Sequence, residues 1–260
     1  MFKAGVDIGS RTVKVVLIEG QAKKVAAWGI TDTGPIPART ATDLFVDVLK
    51  EHHLNRRDVL TITSTGYGRS SIDWTNQTVT EVSCQAAGCA ALYPQLRTVI
   101  DIGGQDSKVI SLADGGLVRD FALNDRCAAG TGRFLEMVAS IVDVGVEELA
   151  ALAGGANETI EMNSTCAVFA ESEIVGLLAQ GNSAANIARG VMDAIARRTK
   201  SLAGSISYES KVVFTGGVAK NQAMVEALEK HFGCEMLVPE NPELTGAFGA
   251  ALLAGRAKTA

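Results

Sequence analysis

The sequence predicts an α/β protein, and three observations support that prediction. Its 260 residues are 47% hydrophobic and 20% charged, with 27 glycines and only 5 prolines. This composition is typical of a soluble α/β chain, long enough for one large domain or two small ones. A strand–turn–strand unit occurs twice, and a third glycine-rich turn follows a buried strand and leads into an amphipathic helix.

Charge and hydropathy exclude several classes of partner. The net charge is −5, so no basic surface indicates binding to nucleic acid or to an anionic membrane. The sequence contains no apolar run of about 18 residues, which predicts that no segment spans a membrane. The first residues, MFKAGVDIGS, read as a strand and lack the long apolar run of a signal peptide, so we expect a cytoplasmic protein.

The repeated unit reads VDIGSRTVKVV near the amino terminus and IDIGGQDSKVI from residue 100. Asp7 aligns with Asp101, and Lys14 aligns with Lys108. The tip of such a hairpin presents backbone N–H groups to phosphate, and paired carboxylates suit a hydrated Mg²⁺ ion. The alternative is two unrelated hairpins with a common kind of turn. The second copy, with its aspartate and lysine at the same spacing, favours the phosphate-binding interpretation.

Two further glycine-rich segments follow. FTGGVAKNQAMVEALEKHF begins at Phe214, and its paired glycines let a flat or charged ligand approach the backbone closely. The residues from Val218 onward predict an amphipathic helix. TGAFGAALLAG, residues 245–255, predicts a helix of small residues that either packs closely against another helix or acts as a hinge.

In chain order, VDIGSRTVK, IDIGGQDSK, FTGGVAKN and TGAFGAALLAG resemble the phosphate, adenosine and second connecting-helix motifs of the sugar kinase, Hsp70 and actin superfamily of ATPases. The resemblance spans nearly the whole chain and implies an α/β fold of two ribonuclease H-like lobes around a nucleotide cleft. Lobe I would comprise residues 1–96 together with a C-terminal helix at 245–260, and lobe II residues 97–244. The first connecting helix would lie near TVTEVSCQAAGCAALYP, where Glu81 would either face the metal or simply favour the helix N-terminus.

The chain has five cysteines, which are too scattered for a small disulfide scaffold: Cys84, Cys89, Cys127, Cys166 and Cys234. The ordinary interpretation of each is a small buried hydrophobic residue. Cys127, in NDRCAAGTGRFLEMVASIV, and Cys166, in NSTCAVFAESEIVGLLAQG, are expected at the starts of two helices. Asn163, Ser164 or Thr165 would cap the second helix, and the free N–H groups of each helix start would favour a thiolate.

Two such cysteines leave three interpretations open: core residues, a nucleophilic or redox pair, or metal ligands. Small residues follow each of them, Ala128, Ala129 and Gly130 after Cys127 and Ala167 after Cys166, which suggests room beside each sulfur. A structural Zn²⁺ ion or a [4Fe–4S] cluster takes four thiolates, and a symmetric dimer of this chain would supply four.

CAAGTGRFLE and STCAVFAESE, on an ATPase core of this length, resemble the activator component of 2-hydroxyacyl-CoA dehydratases. That family includes ATPase subunits of benzoyl-CoA reductases and the reductase of double-cubane cluster proteins. The resemblance implies an oxygen-sensitive homodimer with one [4Fe–4S] cluster held by Cys127 and Cys166 of both chains. It also implies ATP-driven delivery of one low-potential electron to an acceptor iron–sulfur enzyme, with ferredoxin or flavodoxin as the donor. Cys84, Cys89 and Cys234 have no matching role and are interpreted as structural.

The resemblance also assigns residues to Mg-ATP. Asp7 and Asp101 would hold Mg²⁺ through water. Gln105 would orient the attacking water, or would be a solvated turn residue. The phosphates and the adenosine would be bound by three turns: Gly9, Ser10, Arg11, Thr12 and Lys14; Gly103, Gly104 and Lys108; and Gly216, Gly217, Val218 and Asn221.

Two other functions are compatible with these motifs. A small-molecule kinase of the same superfamily would generally be longer, with an inserted substrate-binding segment, and it leaves the two cysteines unexplained. A protein that uses nucleotide only to switch its assembly would be colourless when purified. The loop GYGRSSIDW, with Tyr67 and Arg69, is interpreted as solvated, and the three histidines are assigned no role.

Overall fold

The computed structural model describes residues 1–20, 24–164 and 166–255. The chain divides into two compact units. Unit 1 comprises Met1–Leu96, Leu112–Val118 and Glu243–Ala260, and unit 2 comprises Arg97–Ser111 and Arg119–Pro242. Across the described ranges, no helix combines the length and the apolar character needed to cross a membrane.

Unit 1 is built on a five-stranded mixed sheet in the order β3-β2-β1-β4-β5. Its strands are β1 (Phe2–Ile8), β2 (Thr12–Glu19), β3 (Val25–Asp32), β4 (Val59–Thr65) and β5 (Gln77–Thr78). The first three strands are antiparallel neighbours, whereas β4 runs parallel to β1 and β5 runs parallel to β4. Its helices are α1 (Pro37–Glu51), α2 (Glu81–Leu92) and α8 (Thr245–Leu253).

The two faces of the unit 1 sheet are covered by different helices. Val13, Val15 and Leu17 of β2 belong to one apolar cluster with the buried side chains of α1. The alternate residues Val16 and Ile18 belong to a second cluster with α8. This alternation follows from the two-residue period of a strand, and it explains why β2 is apolar on both faces.

Helix α8 confirms the close packing expected from its small residues. A side chain at Gly249 would collide with the backbone of Cys84, and one at Gly88 would collide with the carbonyl of Thr245, so α2 and α8 cross almost backbone to backbone. Gly5 allows the same close approach between β1 and α8. The α-helix itself ends at Leu253, earlier than the predicted 245–260, and residues 256–260 lie outside the described part of the chain.

Unit 2 repeats the sheet topology of unit 1, in the order β10-β9-β6-β7-β8. Its strands are β6 (Thr98–Ile102), β7 (Ser107–Leu112), β8 (Val118–Asn124), β9 (Val212–Thr215) and β10 (Met236–Leu237). Strand β6 is antiparallel to β7 and parallel to β9, as β1 is to β2 and β4. The helices are α3 (Gly132–Ile141), α4 (Leu149–Gly154), α5 (Ala167–Ala179), α6 (Ala184–Ala203) and α7 (Gln222–Phe232).

The predicted helix after the third glycine-rich turn begins later than expected. Gly217–Lys220 form a single 3₁₀ turn, and α7 starts only at Gln222. Asn221 is the N-cap of α7, and its side-chain oxygen accepts a hydrogen bond from the Met224 N–H at 3.0 Å. The cap explains the boundary, because an N-cap residue has extended rather than helical backbone angles.

Candidate functional site

The two repeated hairpins have the same turn. In the first, the Gly9 N–H donates to the carbonyl of Thr12 at 3.1 Å. In the second, the Gly103 N–H donates to the carbonyl of Asp106 at 2.9 Å. The sequence-predicted turn residues Ser10, Arg11, Thr12, Gly104 and Gln105 lie at these two tips, with Arg11 and Gln105 exposed to solvent.

In unit 1, Asp7 lies at the end of β1 with only 4% of its surface exposed. It pairs across the ladder with Lys14, whose Nζ lies 3.3 Å from Asp7 Oδ2. The other carboxylate oxygen, Oδ1, is buried and has no hydrogen-bond partner among the described residues. A buried carboxylate oxygen without a partner is costly unless water or a cation satisfies it, so this atom is suited to a hydrated metal ion.

In unit 2, Asp101 and Lys108 make the corresponding pair, with Lys108 Nζ 3.2 Å from Asp101 Oδ2. Here a second carboxylate takes part, because Lys108 Nζ also lies 2.8 Å from Asp106 Oδ2. Thr12 occupies the position equivalent to Asp106 in the first hairpin. The two hairpins are therefore alike in backbone and different in charge, since Lys108 is held by two carboxylates and Lys14 is near one.

A glycine directly after the neighbouring parallel strand lies close to each aspartate. Only one of these two glycines was predicted from the sequence. Gly216 has a φ of +87°, and a side chain there would stand 2.6 Å from Asp101 Oδ1. Gly66, which was not predicted, has a φ of +86°, and a side chain there would collide with Asp7 Oδ1.

The signal for Gly66 is present in the sequence. Apolar strands ending in Thr-Gly occur at ITSTGYG and at VVFTGGV. In the register of the two sheets, Asp7 lies opposite Thr65 and Asp101 lies opposite Thr215. The Thr-Gly ending is thus a second duplicated motif, beside the duplicated hairpin.

Glu81 is the first residue of α2, and Thr80 is the N-cap whose side chain accepts from the Ser83 N–H. Cys84, one turn further, is fully buried. Burial raises the pKa of the Cys84 thiol to about 12, and the charges of Asp7 and Glu81 act in the same direction. Cys84 is therefore a protonated thiol at neutral pH and a poor metal ligand.

Cys127 does not lie in a helix, contrary to the expectation from sequence. Helix α3 begins at Gly132 after the N-cap Thr131, five residues beyond Cys127. The Asn124 side chain fixes the Cys127 loop, since its Oδ1 accepts from the Cys127 N–H at 3.3 Å and its Nδ2 donates to the Cys127 carbonyl at 3.0 Å. Gly130, with a φ of +131°, turns the chain towards α3.

Cys166 is the N-cap residue of α5, rather than a member of its first turn as predicted. Its side chain makes no capping hydrogen bond. Of the predicted capping residues, Asn163 and Ser164 instead donate their N–H groups to Glu173 in the second turn of the same helix, each at 2.8 Å. Thr165 lies outside the described residues.

Glu173 therefore anchors the segment that precedes Cys166. Partial burial raises the pKa of Glu173, but the hydrogen bonds from Asn163 and Ser164 outweigh that effect, and the pKa lies below its ordinary value. Glu173 is accordingly a carboxylate at neutral pH and accepts both backbone N–H groups with charge-assisted hydrogen bonds.

The Cys127 loop is hydrogen bonded to the second phosphate-type turn. The Gly132 N–H donates to the carbonyl of Gly103 at 2.8 Å, and the Arg133 N–H donates to the carbonyl of Gly104 at 2.9 Å. Thr131, immediately before them, bonds back to the carbonyl of Ala128 through both its N–H and its hydroxyl. Three consecutive residues thus connect the turn to the residue that follows Cys127.

Both cysteines are partly exposed, and the described residues contain no disulfide among the five cysteines. Over the same residues, no group of three or more cysteine, histidine, aspartate or glutamate side chains is arranged to hold a metal ion. The helix that follows Cys166 is unusually apolar on its outside, because Val168 and Phe169 are 71% and 70% exposed and Val175 is 52% exposed. Exposed apolar residues grouped in this way are typical of an interaction surface.

Several known proteins are similar to this chain over nearly its whole length. The activator of lactoyl-CoA dehydratase from Anaerotignum propionicum is 41% identical over 98% of this chain and 97% of its own. The crystal structure of (R)-2-hydroxyglutaryl-CoA dehydratase component A from Acidaminococcus fermentans superimposes with a TM-score of 0.92 at 36% identity, covering 98% of this chain and 97% of the other. The structure of the activator of 2-hydroxyisocaproyl-CoA dehydratase from Clostridium difficile, solved with bound ADPNP, superimposes with a TM-score of 0.90 at 37% identity. The match covers 98% of this chain and 94% of the other.

A glucokinase of the ROK family from Streptomyces griseus has a TM-score of 0.61 at 16% identity, over 98% of this chain and 99% of its own, which is a likeness of fold alone. These structures confirm the predicted α/β fold of two ribonuclease H-like units. The BadF/BadG/BcrA/BcrD ATPase family matches residues 4–254. With nearly every described element inside that match, the chain belongs to the BadF/BadG/BcrA/BcrD ATPase family.

Proposed function

We propose that the protein hydrolyses ATP to drive one low-potential electron into a partner iron–sulfur enzyme, through a [4Fe–4S] cluster shared by two copies of the chain. The observation that carries the proposal is the pair of hydrogen bonds from Gly132 and Arg133 to the Gly103–Gly104 turn, close to Cys127. The acceptor is an enzyme of the 2-hydroxyacyl-CoA dehydratase or double-cubane type. The names of the similar activators support the dehydratase type of acceptor. Ferredoxin or flavodoxin is the proposed donor.

ATP binding is supported by family membership and by the ADPNP in the similar activator. In the proposal, Asp7 and Asp101 hold Mg²⁺ through water, a role that suits buried carboxylates, of which Asp7 has an oxygen with no partner among the described residues. The hairpin turns offer backbone N–H groups to the phosphates, and Lys14 and Lys108 keep the two carboxylates in place.

The remaining nucleotide contacts are assigned from the turns. Gln105, exposed at the tip of the second hairpin, would orient the attacking water, and Glu81 at the start of α2 would face the metal. The adenosine would lie against the turn after β9: Gly216, Gly217, Val218 and Asn221. Asn221, the last of these residues, is also the N-cap of α7.

Cys127 and Cys166 are suited to sharing a cluster between chains. Each is partly exposed, the Cys127 loop and the segment before Cys166 are fixed by side-chain hydrogen bonds, and the proposal assigns two thiolates to each chain. Four thiolates therefore require a second copy of the chain, and the exposed apolar side chains after Cys166 are suited to packing against that copy. When bound, such a cluster supplies one-electron chemistry at low potential.

Nucleotide and cysteine are coupled, in this proposal, through the backbone of unit 2. A shift of the Gly103–Gly104 turn on phosphate binding would move the start of α3, because two of its N–H groups are hydrogen bonded to that turn. Thr131 would carry the shift to Ala128, the residue after Cys127. The surroundings of Cys127 would then differ between nucleotide states, which changes hydrogen bonding near the thiolate.

The test is the iron and sulfide content of protein purified without oxygen, for the wild type and for Cys127→Ala, Cys166→Ala and Cys234→Ala. About four irons per two chains are expected in the wild type and in Cys234→Ala, because Cys234 is a partly exposed thiol outside the proposed ligand set. Either ligand variant should lose them.

Colourless wild-type protein, or iron retained in both ligand variants, would overturn the cluster assignment. ATP hydrolysis stimulated by a small hydroxylated compound, with phosphate appearing on that compound, would instead identify a kinase.

A further inference from the structure

Arg198, on helix α6, contacts the loop before Cys166. Its Nη2 donates a hydrogen bond to the carbonyl of Ser164 at 3.0 Å. The backbone N–H of Ser164 donates to the Glu173 carboxylate. The peptide groups beside Ser164 are therefore held on one side by a cation of α6 and on the other by a carboxylate of α5. Both partners are charged, which makes these hydrogen bonds stronger than neutral ones.

The stem of the same arginine lies beside the loop that contains Cys127. A Cβ atom built on Gly130 would stand 4.0 Å from Arg198 Cδ and 3.9 Å from Asn124 Nδ2. Asn124 is the residue whose side chain fixes the backbone of Cys127. Arg198 therefore bonds to the Cys166 loop with its guanidinium, and its aliphatic stem lies within reach of a side chain at Gly130 in the Cys127 loop.

The neighbouring arginine makes different contacts. Arg197 is 46% exposed, and its guanidinium lies 3.6 Å from Glu161 Oε1 and 4.0 Å from Asp193 Oδ2. The two arginines carry the same charge and lie on the same helix, so Arg197 serves as a control for Arg198.

We propose that Arg198 is a positioning residue that joins the two cysteine loops within one chain and places a fixed positive charge behind them. The first part concerns the loops alone. The second rests on the proposed function, because it concerns the ligands of a shared cluster. A nearby cation stabilises the more negative of two redox states, so Arg198 would raise the reduction potential of a centre bound by these cysteines.

Hydrogen–deuterium exchange on metal-free protein tests the first part. Arg198→Ala should speed exchange in residues 124–131 and in residues 160–164 together, by roughly tenfold, because one charged hydrogen bond and the aliphatic stem near Gly130 are lost. Arg197→Ala should leave residues 124–131 at the wild-type rate, although its partner Glu161 lies in the second segment. If Arg198→Ala leaves either segment unchanged, or if Arg197→Ala speeds both equally, the joining role is wrong.

Reduction potential tests the second part on protein that contains iron. Arg198→Met should shift the potential to more negative values, and Arg198→Lys should restore most of that shift because it keeps the charge. Equal potentials in the wild type and Arg198→Met, at equal iron content, would overturn the electrostatic role.

The failure of the proposed function is separately visible. Wild-type protein without iron would remove the cluster, and with it the electrostatic part of the inference. The exchange result would still decide whether Arg198 joins the two loops. Thermal unfolding of the metal-free variants, Arg198→Ala, Arg198→Met, Arg198→Lys and Arg197→Ala, shows whether any change arises from general instability.

Discussion

The N–H of Gly132 donates a hydrogen bond to the carbonyl of Gly103 at 2.8 Å, which joins the start of α3 to the turn of the second hairpin. A Cβ atom on Gly132 would stand only 3.1 Å from that carbonyl oxygen and 3.4 Å from Gly104 Cα. The helix start and the turn are therefore in direct backbone contact. A displacement of the turn should therefore also displace the start of α3.

Gly132→Ala should slow ATP hydrolysis by about three- to tenfold, because the added methyl group displaces the turn by a few tenths of an ångström and misplaces the phosphates. The measurement is phosphate release under anaerobic conditions. Gly154→Ala is the control, since nothing lies within 4 Å of a side chain at that position. Equal rates for the two variants would contradict the predicted contact.

Lys108→Met should destabilise the protein more than Lys14→Met does. Lys108 is 3% exposed and lies between Asp101 and Asp106, so its loss leaves two carboxylates without their cation and should cost about 3–5 kcal/mol. Lys14 is 13% exposed, and in the described part of the chain Asp7 is its one ion-pair partner, so the loss should be smaller. Urea unfolding measures both, and an equal or reversed order would contradict the asymmetry of the two hairpins.

Asp193 should make acid stability depend on pH. Partial burial raises its pKa, but hydrogen bonds from Lys230 and His231 outweigh this, and the pKa lies below its ordinary value of 3.8. The ionised Asp193 side chain therefore stabilises the folded protein above about pH 3.8. This stabilisation is lost as the pH falls through the lower pKa that Asp193 has in the folded state.

Asp193→Asn should accordingly unfold more easily at pH 7, by about 1 kcal/mol, and should approach the wild type in strong acid. Thermal unfolding across pH measures the difference. Glu226→Gln, an exposed position on α7, should match the wild type throughout. A difference for Asp193→Asn that persists unchanged in strong acid would mean that the carboxylate charge is not its cause.

Phe169→Asp should prevent two copies of the chain from associating. Phe169 is 70% exposed and lies three residues after Cys166. Burial of this ring from each chain would stabilise the proposed dimer, so losing both rings should raise its dissociation constant at least roughly 100-fold. Light scattering of the purified protein measures the mass. Val46→Asp, an equally charged change at an exposed position of α1, should leave the mass unchanged. A dimeric Phe169→Asp protein would exclude this face as the contact.

The hairpin pairs were predictable from sequence because each is local. Asp7 and Lys14 are seven residues apart, and a tight turn between two apolar strands is enough to place them opposite each other. The same spacing in the second copy, Asp101 and Lys108, made the duplication visible. Close packing of α8 was one of two interpretations of its small residues, and the close approach of Gly249 to Cys84 bears it out.

The contacts between distant segments were not predictable in the same way. Gly66 meets Asp7 because β4 runs parallel to β1 in one particular register, and no local pattern specifies that register. The bond from Gly132 to Gly103 depends on how α3 packs on its sheet. The position of Cys127 was misjudged for a local reason, because Thr131, the N-cap, and Gly130, with its positive φ, delay the helix by five residues.

The most direct test of nucleotide-gated electron transfer is the rate at which an iron chelator removes the iron from wild-type protein, with ADP and with ADPNP bound. Because the turn at Gly103 is hydrogen bonded to the start of the helix after Cys127, we expect rates that differ by at least about fivefold between the two nucleotides. Gly132→Ala should reduce that difference. Equal rates in the wild type, at saturating concentrations of both nucleotides, would contradict the coupling of ATP to the cysteine site.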